Sequence, residues 1–224
     1  MMKNLFSVFD PSSAIFSSSW LILILVVLFI PTQMWKVSNS FLKITKKITN
    51  TFKKEVSFTL NKKEKSSEMM IMLTFILILS MNFLALYPQV FSPTSHLVVT
   101  LPLSLIYWMS LMLFGWTKNT NHMLSHLVPQ GTPAALMMFM VMIELVSNII
   151  RPITLCVRLT ANLIAGHLLM SLLGNALVNI TPILMPIYMP VPLILTILES
   201  AVAVIQGYVF MTLITLYTTE VKYW

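Results

Sequence analysis

Both arginines of this protein, Arg151 and Arg158, lie inside one long apolar stretch that runs from Ala134 to Leu173. An arginine at the centre of a membrane-spanning helix costs roughly 2.5–3.5 kcal/mol on insertion scales. The guanidinium group nevertheless stays charged at any physiological pH. Two such groups in this stretch therefore predict a functional role, such as a fixed positive charge inside an apolar barrier.

Several groups that can accept, donate or relay a proton accompany the arginines in the last two apolar segments. They are Glu144, Asn148, Asn162, His167, Glu199, Gln206 and Glu220. Ionisable residues inside membrane spans are rare, and they mark ion paths, proton relays or ligand sites. The C-terminal part of the chain is therefore where we expect the functional site.

The spacing of these residues predicts that most of them share one side of a helix. At about 100° per residue, five of them form a stripe about 80° wide: Glu144, Asn148, Arg151, Arg158 and Asn162. His167 falls about 140° from Glu144, on roughly the opposite face, unless Pro152 or Gly166 changes the helical phase.

The last apolar segment carries a second polar pair. Glu199 and Gln206 are offset by only about 20° on a helix. Small residues surround this pair, and they would let another helix approach closely: Ser200, Ala203 and Gly207.

Three functions remain open for such a stripe. It could be a polar seam in which Arg pairs with Glu and Asn with Gln, a pocket of a membrane enzyme, or a water-filled proton or ion path. Carboxylates and histidine relay protons whereas arginine does not, so the residue types favour the path, with arginine as an electrostatic block. An enzyme needs a nucleophile beside a base, and Ser147 and Ser200 have no histidine at helical spacing.

Other chemical candidates are weak. His122 and His126 have the spacing of a zinc-protease helix but lack its glutamate, so we expect no metal site. The five glycines form no phosphate-binding motif. Asn179 begins a glycosylation sequon that has no meaning without secretion, and Cys156 is interpreted as a packing residue. We expect no cofactor.

Composition places these residues in a membrane protein. The chain has 224 residues, of which 57% are hydrophobic and 9% charged, and its mean hydropathy is +0.86. Soluble domains carry about 25% charged residues. We therefore predict an all-α integral membrane protein with one membrane domain over residues 1–224 and without a cleavable signal peptide.

The N-terminal part predicts a membrane span followed by a surface helix. Residues 1–35 contain a first span at Trp20–Met34, and residues 36–66 carry nine lysines with apolar residues at spacings of three and four. This pattern predicts an amphipathic surface helix. By the positive-inside rule, the lysine-rich segment faces the compartment in which insertion begins, and the N-terminus faces the other side.

Residues 67–117 predict a helical hairpin with spans at Glu68–Tyr87 and Leu97–Trp116. The polar segment Lys118–Pro133 is predicted to be a loop.

Residues 134–222 predict two long, strongly tilted membrane helices. Ala134–Leu173 would measure roughly 60 Å as one helix, too long for an upright span, so it forms either two short helices or one tilted or bent helix, with Pro152 as the expected kink. An irregular proline-rich stretch over 182–192 should precede the last helix, Leu193–Thr219. The absence of an internal repeat disfavours an inverted-repeat transporter.

Three segments resemble subunit a of the F-type ATP synthases. RPITLCVRLTANLIAGHLL (Arg151–Leu169) resembles the family's signature, and HLVPQGTPAALM (His126–Met137) and ILESAVAVIQGYVF (Ile197–Phe210) resemble the segments on either side of it. The opening NLFSVFDPS is similar to invertebrate mitochondrial members. The resemblance covers nearly the whole chain and is weakest over the lysine-rich and proline-rich segments.

The resemblance implies a role for most of these polar residues. Arg158 matches the family's essential arginine, Asn162 its neighbour one turn on, and Gln206 the glutamine that faces the arginine. Glu199 and His167 match a pair in the access path from the intermembrane side, although in bacterial relatives the two residue types are exchanged. Glu144 and Glu220 match acidic positions near the matrix-side path.

The resemblance also implies partners and a location. The expected partners are a rotating proteolipid ring with one essential carboxylate per subunit, the peripheral stalk and other membrane subunits, membrane lipids and protons, but no nucleic acid. The protein would be a non-catalytic subunit of the mitochondrial inner membrane, with its N-terminus in the intermembrane space and its C-terminus in the matrix.

Overall fold

The computed structural model describes residues 9–11, 18–29, 40–60, 65–87, 90–118, 120–128, 134–178 and 185–222. This part of the chain is almost entirely helical and contains no β-strand. The prediction of an all-α membrane protein is therefore confirmed. Helices satisfy their backbone hydrogen bonds internally, which is the requirement for crossing a lipid bilayer.

The described part of the N-terminal half contains four α-helices. A 3-10 turn at Ser18–Trp20 leads into α1, Leu21–Phe29, which is the described part of the predicted first span; positions 30–34 of that span lie outside the described residues. The amphipathic segment forms α2, Ser40–Thr59. The predicted hairpin forms α3, Lys65–Ala85, and α4, Leu97–Lys118, joined through a 3-10 turn at Pro93–Ser95.

The stretch that could have been two helices is one continuous helix, α6, Ala134–Val178. Pro152 lies inside it and is buried. The last helix, α8, spans Pro190–Lys222. Both helices, together with α3 and α4, are long and apolar enough to cross a membrane.

Two predicted irregular segments are partly helical, so these predictions were wrong. The polar segment after α4 contains α5, Thr120–His126, and the proline-rich segment contains α7, Met185–Tyr188. The last helix begins at Pro190 rather than at Leu193. Proline is compatible with the first turn of a helix because the amide it lacks would have no partner there, and so Pro190 and Pro192 start α8 instead of preceding it.

The core lies where α3 packs against α8, with α2 and α6 contributing at its edges. Its most deeply buried members include Ile71, Ile78, Phe210 and Met211. Much of the remaining apolar surface of α4, α6 and α8 is exposed. In a membrane protein this surface can face lipid or neighbouring helices, so burial within the chain does not have to be complete.

Candidate functional site

The predicted site residues of α6 and α8, with the exception of Arg158, line two separate cavities. Antiparallel packing of these helices brings the first part of α6 to the end of α8, and the later part of α6 to the beginning of α8. Each cavity therefore combines residues that are far apart in sequence.

The first cavity, of about 440 Å³, contains the predicted matrix-side group. Glu144, Asn148 and Arg151 from α6 meet Glu220 from the end of α8 in its lining. Apolar and aromatic side chains form the rest of the wall, including Trp108 and Trp116 of α4. A cavity with two carboxylates and an amide in an otherwise apolar wall can hold water and pass protons.

Arg151 has a defined partner in this cavity. Its Nη1 donates a hydrogen bond to Oε2 of Glu220 and forms an ion pair with it. The guanidinium carbon also lies 5.2 Å from the centre of the Tyr217 ring, within the range of a cation–π interaction. Arg151 therefore joins α6 to the end of α8 through two contacts.

The second cavity, of about 290 Å³, contains the predicted access-path group. Asn162 and His167 from α6 line it together with Glu199 and Gln206 from α8. The helical wheel places His167 on roughly the opposite face of α6 from Asn162. The cavity nevertheless extends around α6 and is lined by both residues. The His167 ring also meets the edge of the Phe9 ring, with ring centres 6.1 Å apart.

Glu199 lies directly against Gly166. A Cβ atom added to Gly166 would lie 2.7 Å from Oε1 of Glu199 and 3.0 Å from its carboxyl carbon. That Oε1 atom is buried and has no hydrogen-bond partner in the described part of the chain. The absence of a side chain at position 166 is therefore what gives the Glu199 carboxyl group its place in the cavity.

One lining residue was missed by the sequence analysis. Asn82 of α3 is almost fully buried, and its side-chain amide donates a hydrogen bond to the carbonyl of Ala203, 3.4 Å away. Its Oδ1 has no partner among the described residues, and Asn82 lines the second cavity. The available signal was a side-chain amide in the almost entirely apolar second half of α3.

Arg158 lines neither cavity and lies between them along α6. It is seven residues from Arg151 and four from Asn162, or roughly 10 Å and 6 Å along the helix axis. Its side chain is exposed, and no ion pair or side-chain hydrogen bond joins it to another described residue. Thr154, Ala161 and Ala165 are exposed on the same side of α6.

The two cavities lie toward opposite ends of the helical bundle. The first cavity takes residues from the end of α4 and the end of α8, such as Trp116 and Val221. The second takes Leu86, just beyond the end of α3, and Leu195 near the start of α8. Because α3 and α4 run in opposite directions along α8, their C-terminal ends are at opposite sides of the bundle, and each cavity lies near one of these ends.

The weaker candidates gain no support as chemical sites. No group of three metal-ligating side chains occurs among the residues that the structure describes. The side chains of His122 and His126, and the segment containing Asn179, lie outside the described part. Cys156 is buried and contacts the Thr100 hydroxyl at 3.2 Å, as expected of a packing residue.

The fold and the site define a class of protein. This is a multi-spanning helical membrane protein in which an exposed arginine lies between two cavities that each contain ionisable side chains and lie toward opposite ends of the bundle.

Comparison with known proteins gives the family. The model of the ATP synthase A chain family matches residues 14–219. The chain is 48% identical to ATP synthase subunit a of Locusta migratoria, and 50% identical to those of Drosophila melanogaster and Anopheles quadrimaculatus. Each alignment covers 99% of this chain and 100% of the relative. The chain belongs to the ATP synthase A chain family, which provides a membrane-sector subunit of F-type ATP synthases.

Proposed function

We propose that this chain is the stationary part of the proton path of the synthase and that it catalyses no bond chemistry itself. The observation that carries the proposal is the exposed Arg158 between two cavities that contain ionisable side chains and lie toward opposite ends of the bundle. Two offset aqueous half-channels joined only through a moving carrier would need this arrangement.

The second cavity serves as the entrance in this proposal. Protons pass Glu199 and His167, with Asn162 and Gln206 holding water nearby, and neutralise a carboxylate on the adjacent proteolipid ring. A neutral carboxylic acid can then turn into lipid, whereas an ionised one pays a large desolvation penalty. Protonation in this cavity is thus the step that permits rotation.

The first cavity serves as the exit. After almost a full turn the carboxylic acid reaches the cavity of Glu144, Asn148 and Glu220 and releases its proton. The ionised carboxylate then passes Arg158, whose charge offsets the cost of exposing it and repels a proton that would run directly between the cavities. Each proton moved through 100 mV provides about 2.3 kcal/mol.

The exposed side of α6 around Arg158 is the proposed contact with the ring. Thr154, Ala161 and Ala165 are small, and small residues at a membrane helix surface let a second helix approach closely. An arginine without a partner in the described part of its own chain is expected where the partner carboxylate belongs to another subunit.

The remaining proposals concern assembly and location. The protein would contact the peripheral stalk, other membrane subunits and lipids in the mitochondrial inner membrane. Its N-terminus would lie in the intermembrane space and its C-terminus in the matrix, in agreement with the positive-inside rule applied to the lysine-rich α2.

The two alternative functions explain less of the structure. A packing seam accounts for Arg151, which is paired with Glu220, but not for Arg158. A membrane hydrolase would need a free nucleophile, yet the hydroxyls of Ser147 and Ser200 donate to carbonyls of their own helices, at Glu144 and Ile197.

Replacing Arg158 with lysine tests the proposal. Lysine keeps a positive charge but loses the planar fork, and it can lose its proton when desolvated. We expect ATP-driven proton pumping by the purified complex in proteoliposomes to fall to background. Arg151→Lys on the same helix is the control and should retain most of the pumping, because an ammonium group still reaches Glu220. Normal pumping by an assembled Arg158→Lys complex would reject the proposed role.

A further inference from the structure

The lysine-rich helix α2 has three chemically different sides. Its first side packs on the bundle, where Val56 is 1% exposed and Leu60 is buried. Phe52 continues this side and lies 4.8 Å, between ring centres, from Phe75 of α3. The orientation of α2 on the bundle is therefore fixed by packing, and its other two sides face away from the core.

The second side of α2 is cationic. Five lysines occupy it, at about 60° to 180° from Val56 on the helical wheel: Lys43, Lys46, Lys47, Lys53 and Lys54. All five are exposed, and none forms an ion pair with a described residue. The described helix contains a single acidic residue, Glu55, so the net charge of this surface is strongly positive.

The third side of α2 is exposed and mixed. Two large apolar residues, Ile48 and Phe58, flank the carboxylate of Glu55, which lies at about 100° from Val56. Ile48 is 48% exposed and Phe58 is 85% exposed, and both lie at about 80° to 160° on the other side of Val56. A phenylalanine this exposed is unfavourable in water. A helix with one side on protein, one cationic side and large exposed apolar residues on the remaining side fits the boundary between the acyl chains and the headgroups of a bilayer, where both apolar and charged groups are accommodated.

The connection to α3 places α2 at the edge of a membrane span. α2 ends at Thr59, and the apolar span of α3 begins at Ser67. Lysine clusters on an amphipathic helix beside a span attract anionic lipids electrostatically. An acidic protein segment could also bind the lysines, but it would not explain the exposed Ile48 and Phe58 next to them.

We propose that the lysine side of α2 is a binding surface for the phosphate groups of anionic phospholipids, with Ile48 and Phe58 inserted among the acyl chains. This inference goes beyond the proton path, because none of the α2 residues lines either cavity. The surface would hold an anionic lipid layer against the bundle, next to the α3–α8 core.

A fluorophore attached at position 58 tests the proposal in the intact complex. A Phe58→Cys variant is labelled in a complex whose other accessible cysteines have been replaced; Cys156 is buried. The complex is reconstituted into vesicles of phosphatidylcholine with a minor fraction of phosphatidylglycerol, and either lipid carries the brominated quencher. At equal brominated fractions, we expect quenching by phosphatidylglycerol to exceed that by phosphatidylcholine by about twofold or more.

Charge variants separate headgroup binding from simple insertion. Changing the five lysines to glutamine should abolish the preference for phosphatidylglycerol, and changing them to arginine should keep it. Raising the salt concentration should weaken the preference in the unmodified surface, because exposed charges are screened. The measurement at raised salt concentration uses the unmodified lysines, so it tests the proposal even if the glutamine variant fails to assemble. The control label at exposed Ile106→Cys in α4 should show no preference.

Two results would overturn the proposal. Equal quenching by both brominated lipids would show that α2 reaches the bilayer without binding anionic headgroups. Quenching by neither lipid would show that protein covers this side, and an acidic segment of another subunit would then be the partner of the lysines. Proton pumping by the labelled complex is measured in parallel, so failure of the lipid proposal can be distinguished from failure of the proton path.

Discussion

At the scale of single residues, Gly166 shows how a missing side chain can position a reactive one. The Glu199 carboxyl group occupies the space that a Cβ atom at position 166 would need. The contact atoms belong to a flexible side chain, so an added methyl group would displace the carboxyl group rather than unfold α6. The site depends on this residue although glycine has no chemistry of its own.

Gly166→Ala should therefore lower proton pumping several-fold while the complex still assembles. Gly174→Ala is the matched control on the same helix, because nothing lies within 4 Å of its added Cβ atom. Alanine there should leave pumping unchanged and favour the helix slightly. Shortening the displaced acid, with Glu199→Asp in the Gly166→Ala background, should restore part of the pumping. If both glycine variants pump protons normally, the position of the Glu199 carboxyl group does not affect proton transfer, and the prediction is wrong.

The residues of the site could be predicted individually, but their neighbours could not. Glu199, His167 and Arg158 stand out because charged and titratable groups are costly in an apolar segment. Asn82 did not stand out, since a single amide in α3 carries no charge and the wheel of α6 says nothing about α3. The contact of Gly166 with Glu199 depends on where α6 and α8 cross. The periodicity of the sequence gives no information about that crossing.

At the scale of helices, the ion pair between Arg151 and Glu220 joins α6 to the end of α8. The two side chains are 32% and 53% exposed, so the surrounding cavity screens their attraction. Partly exposed pairs contribute about 1 kcal/mol or less. The pair is therefore better suited to hold the shape of the first cavity than to stabilise the whole fold.

A double-mutant cycle measures this coupling. Arg151→Gln and Glu220→Gln should each lower the thermal stability of the assembled complex slightly, and the double variant should lose less than the sum of the two. The charge-reversed pair Arg151→Glu with Glu220→Arg should recover part of the lost stability. Strictly additive effects would mean that the two residues act independently. Tyr217→Phe is the control, because it keeps an aromatic ring beside Arg151.

The helices themselves were predictable to different degrees. α3, α4, α6 and α8 follow from apolar length, which directly reflects the thickness of a bilayer. The continuity of α6 through Pro152 could not be predicted, since proline both breaks helices and kinks them. α5 was missed because a polar heptapeptide gives no hydrophobic pattern, and its place beside α4 depends on tertiary contacts such as that between Met123 and the Gly115 position.

At the scale of the whole molecule, the antiparallel course of the helices creates two separate cavities from one polar stripe. On a wheel, Glu144 and Asn162 share a side of α6, which by itself indicates a single continuous path. The end of α4 meets the first part of α6, whereas the end of α3 meets the later part. The predicted site residues of α6 before Arg158 therefore belong to the first cavity and those after it to the second. The proposed rotary proton path requires two such separate cavities.

The division predicts that the two cavities open to opposite sides of the membrane. Leu145→Cys lies in the first cavity and Leu195→Cys in the second. A membrane-impermeant thiol reagent should label Leu145→Cys only from the matrix side, in inverted vesicles, and Leu195→Cys only from the intermembrane side, in mitoplasts. The unmodified chain is the control, because its single cysteine is buried. Labelling of both positions from one side would contradict the half-channel arrangement, because a proton would then enter and leave at the same side and could drive no rotation.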